Sequence, residues 1–296
     1  MDGMPARVCV VGSVNADLTF TVDALPRPGQ TVLASTLTAA PGGKGGNQAV
    51  AAARAGASVQ LVAAVGTDSA AEQLRDHLRV NGVGLDGLMS VPGPSGSAAI
   101  LVDAAAENCI VVAPGANAHL SLTSPAIRAV IADCDVVLIS LEIPIETAVA
   151  AARVGREAEA AVILNASPVG TDRGRLTELG GLADVVVVND TESGPWDQAR
   201  REDSAGQLIV TRGARGATHH GEGGSFDVAA PAVEAVDTTG AGDVFAGVLA
   251  AHWSDGPERA LRRACAAGAL ATLVPGAGDC APYAEAIDDA LEGPHR

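Results

Sequence analysis

Continuous apolar runs alternate with helical patterns along most of the chain, and this alternation restricts the fold more than any other feature. Runs that are apolar on both faces are typical of strands in a parallel sheet covered on both sides. The strand patterns are RVCVVG (7–12), VQLVAAVG (59–66), DVVLIS (135–140), AVILNA (161–166), DVVVVN (184–189) and QLIVT (207–211). Helical patterns lie at 47–55, 70–81, 124–132 and 145–159. The alternation predicts an α/β fold, with a mostly parallel central sheet and helices on both faces.

Two regions interrupt this rhythm. Residues 17–40 contain alternating, β-branched segments (DLTFTV and TVLAST), and residues 97–112 read as a hairpin. Neither region has a helical partner, so we expect them to form a small β-sheet lid over the main sheet. A helix-rich block follows at 240–291. The whole chain, 1–296, is expected to be a single domain.

Composition excludes several classes of partner. The chain has 35 acidic and 19 basic residues and a net charge of −16, which argues against nucleic-acid binding. No apolar run approaches the ~18 residues of a transmembrane helix, and the N-terminus lacks a secretory pattern. The close pair His219 and His220 lies in a Gly-rich polar stretch and predicts a solvated turn. No C-x-x-C motif joins the five scattered cysteines, so we expect no disulfide framework, no zinc site and a cytoplasmic location.

Two Gly-rich segments resemble nucleotide-binding loops but fail on spacing. A P-loop needs a Gly five residues before its Gly-Lys pair and a Ser or Thr after the Lys. In PGGKGGNQAV (41–50) these positions hold Thr38 and Gly45. A dinucleotide fingerprint needs three glycines, and in VCVVGSVNAD the second and third are replaced by Val14 and Asp17. A P-loop NTPase and a Rossmann dehydrogenase are therefore disfavoured.

Polar residues follow several of the predicted strands at their carboxyl ends, where open α/β sheets bind ligands. Any one of them has an alternative explanation, since loops are polar and strand ends often carry helix N-caps. Their joint placement favours a site at this edge of the sheet. The residues are Asn15 and Asp17, Glu142, Asn189 and Glu192, and the segment TRGARG that begins at Thr211.

The segment VDTTGAGDVFAGVLA (236–250) predicts a short strand ending at Asp237, then a Gly-rich turn that opens a helix. Successive backbone N–H groups at such a helix start form an anion hole. Asp243 lies in the first turn, where a carboxylate is stabilised by the helix dipole. A carboxylate beside an anion hole is also where phosphoryl transfer places a general base.

These motifs together resemble the ribokinase-like (PfkB-type) carbohydrate kinases, over about residues 7–282. The resemblance lies in DTTGAGD (237–243), GGKGGNQA (42–49), NAD (15–17) and NDTE (189–192). It implies an ATP-dependent kinase that transfers the γ-phosphate to the 5-hydroxyl of D-ribose, giving D-ribose 5-phosphate and ADP, with Mg²⁺ accompanying ATP. Asp243 would be the general base, and Ala241 and Gly242 would form the anion hole.

The same resemblance assigns residues to each substrate. The sugar would be held by Asn15, Asp17, Gly43, Lys44, Asn47, Glu142 and Asp243. The nucleotide would be bordered by Asn189, Thr211, Gly213, Arg215, Gly216, Gly242 and Cys265, with Glu192 acting indirectly on magnesium. Members of this family usually carry a His or Asn near Cys265, on the helix that borders the adenine, so the adenine of ATP would be held differently here.

A monovalent cation, K⁺, is a further expectation from the resemblance, whereas the sequence alone favours an ordinary helix stop. Its ligands would come from Asp237, Thr239, Ala271, Val274, Gly276 and Cys280. A Ser hydroxyl is usual at the last position, and a thiol is a poor ligand for a hard cation. The segment 193–207 is also shorter than usual, so its crossover helix would be missing or cut to one turn.

Two alternative functions remain open at this stage. A kinase of the same family could act on another pentose, a hexose or a nucleoside, and a non-catalytic sugar- or nucleotide-binding regulator would share the fold. The apolar lid face needs cover, so we expect a homodimer formed through the lid, although some of these side chains could simply cover the sugar. The candidate interface residues are Phe20, Val22, Leu101, Val111 and Val112.

Overall fold

The computed structural model describes residues 4–105, 107–168, 172–194, 196 and 206–292. The strands are β1 (Arg7–Val11), β2 (Asn15–Thr21), β3 (Thr36–Gly42), β4 (Ser58–Val65), β5 (Val83–Gly84), β6 (Leu88–Ser90), β7 (Gly96–Val102), β8 (Asn108–Ala113), β9 (Val136–Ser140), β10 (Ala161–Asn165), β11 (Val185–Asn189), β12 (Gln207–Thr211), β13 (Ala217–Gly221) and β14 (Gly224–Val228). The α-helices are α1 (Lys44–Arg54), α2 (Ser69–Val80), α3 (Pro125–Ala132), α4 (Ile145–Glu157), α5 (Arg173–Leu182), α6 (Ala241–Ala251), α7 (Pro257–Ala271) and α8 (Ala284–Glu292).

The central sheet has the order β14-β13-β12-β11-β10-β9-β1-β4-β5, with β6 also paired to β4. The six strands predicted from apolar runs are β4, β1 and β9 to β12, and they pair with one another in parallel. The hairpin β13–β14 adds an antiparallel edge. The predicted α/β fold with a mostly parallel sheet is therefore confirmed.

Helices cover both faces of this sheet, because alternate residues of each strand face opposite sides. Val8 and Val10 of β1 pack into the cluster formed with α1, α2, α6, α7 and α8. Cys9 and Val11 pack into the second cluster, formed with α3, α4 and α5. All four side chains are fully buried. Helices α1 and α6, which carry predicted sugar-binding residues and the predicted base, thus lie on one face of the sheet.

The predicted lid is also confirmed. Strands β3, β2, β7 and β8 form a separate four-stranded sheet in that order, with β2 and β7 parallel and the outer pairs antiparallel. The strand β2 starts directly after β1 and the loop 12–14, so the lid is joined to the main sheet at the carboxyl end of β1. Several large apolar side chains of the lid are exposed, namely Leu37 at 59%, Ile110 at 50%, Val111 at 61% and Val112 at 45%.

Several sequence expectations were wrong. The solvated turn predicted at His219 and His220 is instead strand β13, and His219 is 6% exposed and stacks on Phe226 with ring centroids 4.7 Å apart. The strand predicted to end at Asp237 is absent, because residues 229–237 form a loop in which Val236 is 67% exposed. Helix α5 and the hairpin β13–β14 were missed.

The shortened crossover predicted at 193–207 falls largely on residues 195 and 197–205, which lie outside the described part of the chain. The strands on either side of it, β11 and β12, are adjacent and parallel. Within the described residues, no helix combines the length and apolar character needed to cross a membrane.

Candidate active site

Two loops meet at the carboxyl end of β1 through direct backbone contact. A Cβ placed on Gly45, at the start of α1, would lie 2.6 Å from the carbonyl carbon of Gly12. A Cβ on Gly12 would come within 2.8 Å of Gly45 Cα. Any larger side chain at either position would separate the loops. This contact brings the residues that follow β1 against the GGKGGN segment.

Glycine is also required beside Asn15 and Asp17. Gly43 precedes α1 with a φ of +85°, and a Cβ there would lie 2.7 Å from the amide nitrogen of Asn15. A Cβ on Gly42 would overlap the Asp17 carboxylate, at 2.0 Å from Oδ2. The first glycines of GGKGGN thus leave room for Asp17, the side chain expected to accept hydroxyls from a sugar.

Three carboxylates, those of Asp243, Glu142 and Glu192, act on the charge of Lys44. The negative charge of Asp243, followed by the smaller effect of Glu142, raises the pKa of the Lys44 ammonium even though burial alone would lower it. Glu142 accepts hydrogen bonds from the hydroxyl of Ser13 at 2.6 Å and from the backbone N–H of Lys44 at 3.4 Å. The ammonium therefore remains charged among groups that would otherwise repel one another.

Asp17 is the most perturbed carboxyl of this cluster. Burial, with smaller effects from the charges of Glu142 and Asp243, raises the pKa of Asp17 to about 7. Its Oδ1 is buried and has no hydrogen-bond partner among the residues that the structure describes. A buried carboxylate oxygen without a donor suits a site that a hydroxylated ligand completes.

Asp243 lies at the third position of α6 and is 8% exposed. Consecutive residues of α1 hold its carboxylate: Asn47 donates to Oδ2 at 3.1 Å and Gln48 to Oδ1 at 3.0 Å. Gln48 was not among the residues predicted from sequence. Asn47, a predicted sugar-binding residue, and the predicted base are therefore in direct contact.

Asn117 is a second residue that sequence reasoning missed. It follows the lid strand β8 in a short 3₁₀ helix, Gly115–His119, and is 1% exposed. Its side chain accepts from the N–H of Val14 at 3.0 Å, and donates to the carbonyl of Val14 at 3.2 Å and to Oδ1 of Asn15 at 2.8 Å. Asn117, at the end of the lid strand β8, thus fixes the orientation of the Asn15 side chain.

The predicted anion hole lies at the start of α6. Gly240 adopts a left-handed conformation with a φ of +79°. The N–H of Ala241 donates a hydrogen bond to the Thr238 carbonyl at 3.3 Å. Gly242 is exposed, and a Cβ there would meet nothing within 4 Å. A cleft of about 130 Å³ opens here, and its lining includes Lys44, Asn165, Asn189, Thr211, Gly242 and Asp243. Predicted sugar and nucleotide residues therefore share one cleft with the predicted base.

The remaining nucleotide candidates are arranged less closely. Asn189 donates to Glu192 Oε2 at 2.7 Å, and its own Oδ1 accepts from the Glu192 N–H at 2.9 Å. Gly213, Arg215 and Gly216 follow Thr211 in the turn before β13, where Arg215 donates to Asp190 at 2.9 Å. Cys265 is 4% exposed, lies in α7 below Val228, and burial raises the pKa of its thiol to about 12. Its side chain is therefore packed within the protein.

The predicted cation residues form one loop cluster beside Gly240. Asp237 accepts backbone N–H groups from Thr239 at 2.9 Å and Gly276 at 2.8 Å, and these bonds lower the pKa of Asp237 although burial alone would raise it. The Cys280 thiol donates to the carbonyls of Thr239 at 3.9 Å and Ala277 at 3.3 Å. Burial raises the pKa of the Cys280 thiol to about 11.

This donor set partly suits a large monovalent cation. A carboxylate and several carbonyls are hard oxygen ligands, whereas a protonated thiol is not. The carbonyl of Ala271 also accepts from the N–H of Val274 at 3.2 Å, as the last turn of α7 ends. For a bound transition metal, the described residues offer no group of three or more His, Cys, Asp or Glu side chains.

A larger recess lies at the amino ends of the strands, away from these residues. It is bordered by Asp184, Gln207 and Phe226. None of the predicted site residues is among those that border it.

The raised pKa of Asp17 predicts a pH-dependent stability. Between pH ~4 and ~7 the folded protein holds a proton on Asp17 that the unfolded chain releases, so the free energy of unfolding falls as pH rises. Asp17→Asn removes this loss, and should be more stable than the wild type at pH 8 by about 1–4 kcal/mol, with little difference near pH 4.

Urea unfolding at the two pH values measures this difference. Asp23→Asn, which neutralises an exposed aspartate just beyond the same strand, controls for the change in net charge. An equal response of both variants at pH 8 would contradict a buried, strained Asp17 carboxylate.

Comparison with known proteins agrees with this arrangement. The family model described as pfkB family carbohydrate kinase matches residues 5–284. Ribokinase from Bacillus subtilis (strain 168) is 35% identical over 296 residues, covering 96% of this chain and 99% of that protein. A deoxyribokinase from Salmonella typhimurium (strain LT2) is 31% identical, covering 96% of this chain and 98% of that one. The solved structure of Arabidopsis thaliana ribokinase complexed with ribose and ATP is 29% identical, with a TM-score of 0.89, covering 98% of this chain and 100% of that one. The chain therefore belongs to the pfkB family of carbohydrate kinases.

Proposed function

We propose that the protein is an ATP-dependent ribokinase, which transfers the γ-phosphate of ATP to the 5-hydroxyl of D-ribose and releases ADP. The observation that carries this proposal is the position of Asp243, at a Gly-rich helix start and in contact with Asn47 of the predicted sugar site. The relatives at 35% and 32% identity are ribokinases. The Arabidopsis structure holds both substrates of this reaction.

The sugar would bind among the carboxylates around Lys44. Ribose hydroxyls would donate to Asp17 and Glu142 and accept from Lys44 and Asn47, which satisfies the buried oxygen of Asp17. Because Gly42 and Gly43 have no side chains, the Asp17 carboxylate and the backbone at Asn15 lie directly against this loop, which would bring the hydroxyl-binding groups together around a small polyol. These contacts would direct the primary hydroxyl towards Asp243.

Phosphoryl transfer then needs a base and a positive field. The Asp243 carboxylate takes the proton as the 5-oxygen bonds to the γ-phosphorus and the bond to the bridging oxygen of ADP breaks. The N–H groups at the start of α6, around Ala241 and Gly242, stabilise charge on the transferring group. Mg²⁺ bound with ATP neutralises phosphate charge, and Asn189 and Glu192 would place it indirectly through phosphates or water. Thr211 and the 213–216 turn would border the nucleotide.

A second sugar has specific support, since one relative at 31% identity is a deoxyribokinase. A screen that measures ADP release with ribose, 2-deoxyribose, other pentoses, hexoses and nucleosides separates these substrates. Preference for ribose supports the proposal, and turnover only with another sugar would redirect it within the family. Absence of turnover with every acceptor would favour a non-catalytic regulator.

A cytoplasmic location is part of the proposal, supported by the five free cysteines.

Asp243→Asn is expected to lower kcat by ~10² or more while the fold and most ribose affinity remain. The amide has nearly the same shape as the carboxylate but cannot accept the proton. Steady-state kinetics and ribose calorimetry measure the two quantities separately. A variant within a few-fold of the wild-type rate would remove Asp243 from the role of base.

We also propose a homodimer formed through the lid, because its exposed apolar side chains need cover. Of the candidates from sequence, Val111 and Val112 are exposed, whereas Val22 is 4% exposed within its own chain and is unavailable. Sedimentation should show a dimer at micromolar concentration, and Val111→Lys should shift it towards monomer. Val80→Lys changes a valine that is 82% exposed on α2 and serves as the control. A monomeric wild type would contradict the dimer.

Potassium is proposed as a monovalent activator bound near Asp237 and the carbonyl of Thr239, which would order the turn before α6. Replacing a bulky organic cation by K⁺ at constant ionic strength should raise the ribose-dependent rate several-fold, and Na⁺ should do less. Cys280→Ser should tighten K⁺ binding, because a hydroxyl oxygen replaces the thiol that now contacts Thr239. Rates independent of the cation in both proteins would exclude the site.

A further inference from the structure

We infer that Gln48 is a positioning residue for the reaction, acting only through the carboxylate of Asp243. The inference rests on the function proposed above. It goes beyond the residues expected to touch substrate, because Gln48 is 0% exposed whereas its neighbour Asn47 is 7% exposed. Gln48 therefore has no access to the cleft, and its effect on the reaction must pass through a residue that has.

The geometry gives Gln48 one functional partner. Its Nε2 donates to Oδ1 of Asp243 at 3.0 Å, while Asn47 donates to Oδ2 at 3.1 Å. The amide must face Asp243 with its nitrogen, since a carboxylate accepts hydrogen bonds and would repel the amide oxygen. Gln48 thus fixes one oxygen of the base and leaves Oδ2, on the side of the sugar residues, to take the proton.

Packing alone does not explain a glutamine at this position. The Gln48 Oε1 is buried and meets no hydrogen-bond partner in the described part of the chain. An unsatisfied buried acceptor lowers stability, and a methionine of similar length would fill the same space without that loss. The polar amide is therefore retained at a cost to stability, as expected of a residue that serves the active site.

The two helices approach closely enough to keep this contact short. A Cβ placed on Gly247, one turn after Asp243 in α6, would lie 2.3 Å from the Gln48 carbonyl oxygen and 2.8 Å from Ala51 Cβ. Such a backbone contact leaves the Gln48 side chain little freedom. Asn47, by contrast, belongs to the predicted sugar site, so Gln48 is the partner that serves Asp243 alone.

The test is a double-mutant cycle with kinetic readouts. Gln48→Met should lower kcat by about 10- to 100-fold, because the base loses its orientation, while the KM for ribose changes by less than about 3-fold. Its midpoint in urea should fall only slightly, because losing the unpaired Gln48 Oε1 offsets part of the lost hydrogen bond to the buried Asp243 carboxylate. In the Asp243→Asn background the same substitution should leave the residual rate unchanged within about 2-fold.

The matched control is Gln60→Met. Gln60 also donates from Nε2 to an aspartate, Asp86, at 3.2 Å, but lies on β4 away from the cleft, so kcat should stay at the wild-type value. Gln48→Asn is a second variant, to be used if Gln48→Met does not fold. Its amide is one methylene too short to reach Asp243, so the same fall in kcat is expected.

The outcomes separate the inference from the proposed function. A wild-type rate in either folded Gln48 variant would overturn the inference alone, as would an equal fractional loss in both backgrounds of the cycle. A wild type that releases no ADP with any sugar would overturn the proposed function, and the inference with it.

Discussion

The close packing of α1 against α6 is the contact on which the site depends. At the start of α1 the backbone touches the loop after β1, at Gly12 and Gly45, and further along Gln48 meets α6 beside Gly247. At its end Arg54 donates to the carbonyls of Asp279 at 2.9 Å and Ala281 at 2.8 Å. One helix therefore positions the sugar loop, the predicted base and the loop that carries Cys280. Only small residues allow backbones to come this close, which accounts for the alanine- and glycine-rich core.

The charges of the site follow from this closeness. The carboxylates of Asp243, Glu142 and Glu192 act on the charge of one lysine, Lys44, in a chain whose net charge is −16. The pKa of Asp17 is raised to about 7, because its carboxyl is buried and lies near the charges of Glu142 and Asp243. An anionic phosphoryl group would meet positive field chiefly from the amino end of α6. The site is thus acidic where hydroxyls would bind and electropositive where phosphate would lie.

Sequence patterns predicted what depends on local repetition. The buried strands were readable because both of their faces are apolar, and the turn before α6 because its glycines have fixed spacing. Helix α5 was missed because the glycines in RGRLTELGGL interrupt the helical spacing of its apolar residues. One of them, Gly180, packs against the ring of Trp196, which would lie 2.8 Å from an added Cβ. His219 looked solvated because its cover, Phe226, comes from the next strand.

The roles of Gln48 and Asn117 could not be predicted for a related reason. The fold brings each of them to a distant partner. Gln48 meets Asp243, 195 positions away, and Asn117 meets Val14, 103 positions away. Motif spacing carries no information about such pairs. The assignment of individual ligands likewise depends on the family resemblance, since the geometry shows which residues meet and the relatives suggest what they bind.

The bond between Asn47 and Asp243 joins positions 196 residues apart, and the two parallel neighbours of β1 come from 51 and 128 residues later in the chain. At a synthesis rate of ~5–20 residues per second, about 10 to 40 s pass between the emergence of the sugar loop and that of the base. During this interval the nascent chain carries the hydroxyl-binding half without the catalytic half. Long-range pairing of this kind folds slowly, so the chemistry begins only once nearly the whole domain is made.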